Sequence, residues 1–533
     1  MLAALGLASA FGCAKRETLV EAGVRTQTAY IGQKSDPRDL DPHIATDTSE
    51  FELVRTLMEG LTEIDPASSQ PMPGVAERWE TSPDGLTWTF HLRADARWSN
   101  GEPVTAHDFV FAFRRVLSPA LGAEYAQQLF CLVNAEEFFR QQLRDFSSVG
   151  ARATDDRTLV ITLTHPMPYL TALTLLPPWF PAHRPTLEKY GASERRGTAW
   201  TRAGNFVGNG AFVLAEWQPN RHVRIVRSPT YWDRSHVRLQ AAVFYPVENV
   251  MTQEAMFRSG QLHLTSNTIP VDKLRAYQND PARAGCVFET PLLSTKFFRF
   301  NCQRPPLTDV RVRQALALAI DREQLARRVM QHNFAARSFT PPDCGDYTAE
   351  ASVRQDVAEA KRLLAAAGFA NGQKFPRLEL LLYQTGDSGQ PVAEAIQQMW
   401  RRELGIDVAI ASQETKTVLD RRRAQDFDLL LSEWFGDYLD PTTFLDLWKT
   451  GAEHNKTGWS SAEYDRFLAD ASRMSERPAR FERLRRAEAL LLEEAPITPL
   501  FHSPSRRLRH PALKGWEPNP LELHPLKFVW LEK

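Results

Sequence analysis

The feature that most constrains the fold is a set of continuous apolar segments in the second half of the chain. Residues 378–383, 406–410 and 427–434 each have the pattern of a strand, and residues 391–404, between the first two, have the pattern of a helix. Strands that are apolar along their whole length and joined by helices are typical of a sheet covered on both faces. The second half therefore predicts an α/β unit.

The first half has a different pattern. Residues 87–93 place a large apolar side chain at every second position, which is the period of a half-buried strand, and residues 158–163 predict another strand. Thr105 has the side chain of an N-cap for a helix over 106–117. A proline-rich stretch, 166–185, follows and predicts a boundary between units. We expect a strand-rich unit here, distinct from the later sheet.

Size and charge narrow the class of protein. The chain has 533 residues, which favours two or three domains, and 64 Lys and Arg are balanced by 65 Asp and Glu. A net charge this close to zero provides no general attraction for nucleic acid. The basic run at residues 421–423 is short, as on a solvated helix face. We therefore expect no nucleic-acid partner.

The N-terminus carries a membrane-related signal. Residues 1–12 are apolar but fewer than the roughly 20 residues that span a bilayer, and they suit the apolar region of a secretory signal. Ala10-Phe11-Gly12-Cys13 resembles a bacterial lipobox, which predicts a signal segment over 1–13, a lipid on Cys13 and a polar tether over 14–27. An ordinary cleaved signal, or a trimmed apolar N-terminus, is the alternative.

The remaining cysteines do not form a recognisable site. Cys131, Cys286, Cys302 and Cys344 are far apart and match no zinc or redox spacing. A Cys286–Cys302 disulfide and buried free thiols both remain open as interpretations.

Local catalytic motifs are also missing from the sequence. No nucleophile elbow, phosphate loop or H-E-x-x-H occurs, and the glycines of 204–210 have the wrong spacing for a dinucleotide fingerprint. We therefore expect a binding protein rather than an enzyme, with no cofactor and no metal.

An ordered set of motifs resembles solute-binding family 5 of bacterial ABC importers, in its oligopeptide-binding branch. These motifs hold their order and spacing from about residue 28 to the C-terminus: Leu40-Asp41-Pro42-His43, Val75-Ala76-Glu77-Arg78-Trp79, Trp88-Thr89-Phe90-His91-Leu92-Arg93, 96–110, Asn209-Gly210-Ala211-Phe212, 227–232, 309–315 with 319–322, and 434–444.

The resemblance implies an α/β, two-lobed periplasmic-binding-protein-like fold, type II, with an extra domain inserted near the N-terminus. A ligand would lie between the lobes, which close around it. The implied division of the chain is lobe I from 28–60, 185–290 and 505–533, the inserted domain from 61–184, and lobe II from 291–504.

Asp437 is the main candidate for ligand binding. A peptide of arbitrary sequence offers only its backbone and its charged ends to a receptor, and ligands of α/β sheets bind where apolar strands end. Asp437 follows such a strand end. The resemblance implies that it pairs with the ligand's α-ammonium, which would exclude N-acetylated peptides, while Glu433, Trp434 and Phe435 lend backbone groups. The alternative is a turn or capping residue before Pro441.

Three further residues follow from the resemblance alone. Thr48 and Tyr125 fall where relatives contact the peptide backbone, and Asn267 lies in a segment that lines the cleft in relatives. A core aromatic for Tyr125 and a polar turn for Asn267 are the alternatives.

The sequence also departs from the family pattern. Leu431 and Gly389 stand where relatives place basic residues for a ligand carboxylate, and Thr415 replaces a pocket tryptophan. Arg299 and residues 421–423 could substitute, but nothing in the sequence places them in a cleft.

The implied partners are a peptide ligand, the permease subunits of an ABC transporter, and a membrane through the lipid on Cys13, with the protein itself a monomer. Alternatives are a binding protein of the same fold for a dipeptide, murein peptide, nickel complex or sugar, a peptide-sensing receptor without a permease, and an enzyme with a dispersed site.

Overall fold

The computed structural model describes residues 17–266, 269–331, 333–342, 344–384, 389–474 and 476–533. Its regular elements are numbered along the chain. In the first half the strands are β1 (Thr28–Gln33), β2 (Thr62–Ile64), β3 (Pro71–Pro73), β4 (Ala76–Thr81), β5 (Thr87–Leu92), β6 (Ala151–Asp155), β7 (Thr158–Thr162), β8 (Phe212–Gln218), β9 (His222–Arg227) and β10 (Ala241–Pro246). The helices are α1 (Leu19–Thr26), α2 (Thr48–Leu57), α3 (Ala106–Val116), α4 (Ala135–Phe139), α5 (Leu170–Leu173), α6 (Arg184–Lys189), α7 (Val250–Arg258) and α8 (Val271–Gln278).

The second half continues the numbering. Its strands are β11 (Val287–Pro291), β12 (Ser294–Phe300), β13 (Phe334–Ala335), β14 (Leu378–Tyr383), β15 (Val408–Gln413), β16 (Leu429–Phe435), β17 (Ile497–His502), β18 (Pro504–Leu508), β19 (Leu513–Lys514) and β20 (Trp530–Leu531). Its helices are α9 (Val310–Leu318), α10 (Arg322–Gln324), α11 (Val357–Ala366), α12 (Gly389–Leu404), α13 (Thr415–Arg423), α14 (Thr442–Leu445), α15 (Ala462–Ser472) and α16 (Arg477–Glu494).

One sheet joins the N-terminal strand to strands that come much later in the chain. Its order is β1-β10-β9-β8, with β1 parallel to β10 and the other pairs antiparallel. Residues 61–184 do not contribute to it; they contain β2 paired with β3 and a separate antiparallel sheet, β4-β5-β7-β6. The first half therefore contains two structural units, one of them inserted in the sequence of the other.

The predicted alternation along β5 is confirmed. Trp88, Phe90 and Leu92 are buried, whereas the residues between them are partly exposed. Thr105 begins α3 in a capping box with Asp108, whose carboxylate accepts from the backbone N–H of Thr105 at 2.8 Å and from its hydroxyl at 3.0 Å. The capping box satisfies two otherwise unpaired donors and sets the start of the helix.

The second half forms a six-stranded sheet with the order β13-β17-β12-β16-β14-β15. Strands β14, β15 and β16 run parallel and are the predicted apolar segments, while β12 and β17 add an antiparallel part. The second predicted strand begins two residues later than expected, at Val408, because Gly405 takes a positive φ of 70° in the turn that follows α12. The covered α/β sheet is confirmed, in a mixed form.

Two neighbouring strands connect the halves. Strand β11 pairs antiparallel with β18, and each continues within a few residues into the six-stranded sheet, as β12 and β17. The chain therefore passes between the two halves twice, in opposite directions, along these adjacent strands. The site described next lies beside them.

No helix within the described ranges is long and apolar enough to span a bilayer. Cys131, Cys286, Cys302 and Cys344 are free thiols, so the free-thiol interpretation holds and the Cys286–Cys302 disulfide does not.

Candidate functional site

Strand β16 has an unpaired edge. Its pairing with β12 continues from Phe300 opposite Leu429 to Ser294 opposite Phe435, but its pairing with β14 includes only Leu429 and Leu430. Residues 431–435 therefore have no strand partner on the β14 side among the residues that the structure describes. An edge of free N–H and C=O groups is a template for another extended chain.

The end of this strand is held by close packing. The Gly436 N–H donates to the Leu293 carbonyl oxygen at 2.7 Å, and the Asp437 N–H donates to Thr443 Oγ1 at 2.9 Å. A methyl group on Gly436 would lie 2.4 Å from Leu293 Cδ2 and 3.0 Å from Phe444 Cε2. Leu293 and Phe444 are both buried, so neither can move away freely.

We expect Gly436→Ala to lower the free energy of unfolding by about 1–3 kcal/mol, the usual cost of forcing an extra methyl group into a packed site. The control is Gly285→Ala, because a methyl group there meets nothing within 4 Å and the backbone conformation allows it. Urea denaturation of both variants measures the difference. An unchanged midpoint for Gly436→Ala would show that the strand end is loosely packed.

Asp437 is a carboxylate without a countercharge. Among the described residues, no Lys, Arg or His lies within 4 Å of it, and its side chain is exposed to solvent. Protein atoms nevertheless surround it, and this partial loss of hydration raises its pKa to about 6. The site therefore carries a negative charge near pH 7 that no cation among the described residues compensates.

Tyr125, from the 61–184 unit, is close to Asp437. The Tyr125 hydroxyl lies near enough to Asp437 for the carboxylate to raise its pKa, in addition to the larger effect of burial. The ring of Tyr125 packs against Phe51 at 6.0 Å between centroids. Phe51 and Thr48 line a cavity of about 160 Å³. Tyr125 is thus near Asp437, and Phe51 connects it to the cavity that Thr48 lines.

The strand residues before Asp437 have different environments. Glu433 pairs with Lys296 at 3.3 Å and accepts from Ser503 at 3.0 Å. Trp434 is partly buried, and its ring lies edge-on to His454 with centroids 5.0 Å apart. Phe435 is 53% exposed, although it is a large apolar side chain at a strand end.

Asn267 and Cys13, also predicted to be functional, lie outside the described residues.

The turn after Asp437 is braced by aromatic and ionic contacts. Tyr438 stacks on Tyr169 of the 61–184 unit, with centroids 4.9 Å apart and planes 5° apart. Asp440 accepts two hydrogen bonds from the Arg480 guanidinium, at 2.6 and 2.8 Å, and both side chains are buried. This ion pair therefore holds the turn that contains Asp437 against helix α16.

A cavity of about 440 Å³ lies where β14 and β16 diverge. The residues that the family pattern would make basic or aromatic, namely Leu431, Gly389 and Thr415, line it. Arg299 and Arg422 line it as well. The sequence alone did not predict that these two arginines line a cavity. One signal was present, because Arg299 stands between two phenylalanines in a segment with the pattern of a strand.

Comparisons with known proteins identify the family of the chain. Residues 70–456 match the model of the bacterial extracellular solute-binding proteins, family 5 Middle. The chain belongs to solute-binding protein family 5. It is 33% identical over 512 residues to the periplasmic oligopeptide-binding protein OppA of Escherichia coli K12, covering 93% of this chain and 91% of that protein.

Solved structures of family 5 members confirm the two-lobed fold. The murein tripeptide binding protein MppA of Escherichia coli superposes with a TM-score of 0.79 at 33% identity, covering 95% of this chain and 98% of that one. OppA of Haemophilus influenzae, in complex with the peptide RPPGFSPFR, gives a TM-score of 0.78 at 32% identity, covering 95% and 99%. The family 5 relatives named here are binding proteins.

Proposed function

We propose that this family 5 protein captures peptides with a free amino terminus between its lobes and delivers them to the permease of an ABC transporter. The observation that supports this most strongly is the unpaired edge of residues 431–435, which leads directly to the uncompensated carboxylate of Asp437. The backbone groups of this edge can hydrogen-bond to an extended peptide of any sequence. The carboxylate can pair with the positive charge of the peptide's amino terminus. OppA and MppA are named as binders of an oligopeptide and a murein tripeptide, which agrees with such a ligand.

In the proposed complex the peptide adds as a strand beside β16. The backbone groups of Glu433, Trp434 and Phe435 pair with it, and the α-ammonium meets Asp437. Tyr125 and Thr48 contact it from the opposite side of the gap, and Asn267 belongs to the same lining. Backbone pairing supplies affinity without demanding particular side chains, so the site should accept many sequences.

The proposed lobes are the segments implied by the sequence. Lobe I consists of 28–60, 185–290 and 505–533, the inserted domain of 61–184, and lobe II of 291–504. The adjacent strands β11 and β18 then form the connection about which the lobes close. Closure would bring Tyr125 and Thr48 toward Asp437 and exclude water from the ion pair.

The proposal includes attachment to a membrane. A lipid on Cys13, after removal of 1–12, would anchor the protein, and 14–27 would hold its body away from the bilayer. The protein would act outside the cytoplasm as a monomer beside its permease. Growth with radiolabelled palmitate tests the anchor, since label on the wild type and none on Cys13→Ser is expected.

Peptide affinity should depend on pH through Asp437. The pKa of about 6 in the empty site means that the carboxyl group is increasingly protonated below pH 6. An ammonium partner stabilises the charged form, so the bound pKa is lower and binding must then release a proton. We expect affinity to be highest near pH 7 and to fall up to roughly tenfold per pH unit below 6.

Calorimetry from pH 5 to 7 measures this dependence, because the peptide amine, with an ordinary pKa near 8, stays protonated throughout. Asp437→Asn is the control and should show a flat profile. A wild-type profile as flat as the variant's would contradict the assignment of Asp437.

Native mass spectrometry of the protein purified from cells tests the function itself. Closed lobes retain ligand, so the spectrum should contain added masses that fragment as peptides with free amino termini. Bound species without peptide fragments, together with no binding of a random free-amine peptide library, would refute peptide capture.

A further inference from the structure

The two residues after Asp437 pack against different halves of the molecule. Tyr438 packs against the hydrophobic core of the first half, which is supplied mainly by residues 29–264. Leu439, the next residue, packs against a core supplied by residues 293–497. Leu439 therefore belongs to the half that contains strand β16, whereas the ring of Tyr438 reaches across to the other half.

The partner of Tyr438 in the first half is Tyr169. The two rings are stacked, and the guanidinium carbon of Arg480 lies 5.5 Å from the centre of the Tyr169 ring. Tyr169 precedes helix α5 in the 61–184 unit and is partly buried. Stacked rings attract each other, and so do a cation and the face of a ring. Tyr169 thus contacts two residues of the second half, and both belong to the neighbourhood of Asp437.

Neither tyrosine lies on the strands that connect the halves. Strands β11 and β18 provide that connection, through the pairing of Val287–Pro291 with Pro504–Leu508. A rotation of the proposed lobes about these strands would therefore separate the two rings and expose them to water. Exposure of aromatic surface is unfavourable, so the Tyr169–Tyr438 contact favours the closed arrangement over an open one.

We propose that the Tyr169–Tyr438 contact forms when the lobes close and slows the release of the bound peptide. This inference rests on the proposed function, because it requires a peptide between the lobes. Asp437 and Tyr438 are adjacent, so the segment that meets the peptide's amine also carries the ring that meets the 61–184 unit. Peptide and contact both favour the closed state, and each therefore strengthens the other by the same factor. Tyr169 is a positioning residue in this scheme, since it acts through Tyr438.

Tyr169→Ala should release peptide roughly ten- to a hundredfold faster than the wild type, because a buried ring and its stacking partner are lost. The association rate should be unchanged, since the contact forms after the peptide has entered. Tyr169→Phe keeps the ring and should keep most of the slow release. Stopped-flow fluorescence with a free-amine tetrapeptide, labelled at its C-terminus, measures both rates.

Tyr190→Ala is the matched control. Tyr190 is also partly buried, but its ring packs beside Trp200 in a cluster that lies wholly within the first half. Its loss removes the same side chain without touching the second half. The release rate of Tyr190→Ala should therefore equal that of the wild type.

A double-mutant cycle separates a contact made on closing from a permanent one. The double variant Tyr169→Ala, Tyr438→Ala should release peptide no faster than the faster of its single variants, because each of them already removes the contact. In the empty protein the rings should be apart. The losses of stability in urea should then add for the two substitutions.

Equal release rates for the wild type and Tyr169→Ala would overturn the inference and leave peptide capture intact. Non-additive losses of stability in the empty protein would overturn it as well, since they would show that the rings touch without a peptide. If the wild type binds no free-amine peptide, the proposed function fails and this inference with it.

Discussion

Asp437→Asn is expected to weaken the binding of free-amine peptides by roughly 100- to 4,000-fold. The variant keeps the size of the side chain and removes its charge, so the ligand's ammonium would be enclosed without a counterion. Removing one partner of an enclosed ion pair costs about 3–5 kcal/mol, and each 1.4 kcal/mol is a factor of ten in affinity. The loss should therefore be much larger than that of a single neutral hydrogen bond.

Asp407→Asn is the matched control. Asp407 is exposed and precedes β15, whereas Asp437 follows β16, and these strands run in the same direction in one sheet. The two carboxylates thus stand at opposite ends of the sheet. Titration calorimetry of both variants with one peptide gives the comparison. Equal affinities for wild type and Asp437→Asn would contradict the role of this carboxylate.

The same substitution should stabilise the empty protein. A carboxyl group whose pKa rises from 3.8 to about 6 on folding favours the folded state only at low pH, and that contribution is lost as the pH increases through 6. We expect Asp437→Asn to melt higher than the wild type at pH 7.5 and the difference to shrink at pH 5. A gain in stability together with a loss of binding identifies a residue kept for its ligand.

Arg480→Met is expected to destabilise the protein by about 3–5 kcal/mol. It leaves the Asp440 carboxylate buried without its cation, and the loss of such a partner is among the most costly single changes. Asp440 also caps the segment after it, accepting from the backbone N–H and the hydroxyl of Thr442. The turn that carries Asp437 should loosen, so peptide affinity should fall as well.

The double variant Asp440→Asn, Arg480→Met tests whether the lost stability comes from the unpaired Asp440 carboxylate. An amide oxygen can still cap Thr442, and no charge is left unpaired, so most of the lost stability should return. Urea denaturation of the single and double variants measures the recovery. A double variant that is less stable than Arg480→Met alone would show that the cost does not come from the isolated carboxylate.

Local patterns were sufficient to predict the elements that lie on one stretch of chain. The alternation at Trp88, Phe90 and Leu92 predicted β5, and Thr105 predicted the start of α3, because burial period and capping are decided by neighbouring residues. The strand 378–383 has the observed bounds of β14 for the same reason. The antiparallel strands β12 and β17 were missed, since their place in the sheet depends on pairing across more than 100 residues.

The site was predictable only in part. Asp437 could be singled out because it follows an apolar strand, and in the structure it comes two residues after the end of β16. The long-range contacts around these residues were not predictable. Tyr438 stacks on Tyr169, Tyr125 packs against Phe51, and Arg422 lies near Arg299, and the two residues of each pair are more than 70 positions apart. Such juxtapositions come from tertiary packing, which no local pattern in a single sequence encodes.

The central claim is that the amino terminus of a peptide pairs with Asp437 beside the free edge of β16. A crystal structure of the protein with a free-amine tetrapeptide tests it most directly. The account predicts the peptide nitrogen at about 2.7–2.9 Å from a carboxylate oxygen of Asp437, with the peptide backbone hydrogen-bonded to residues 433–435. A peptide whose amine lies more than 4 Å from that carboxylate, or that binds away from this edge, would contradict it.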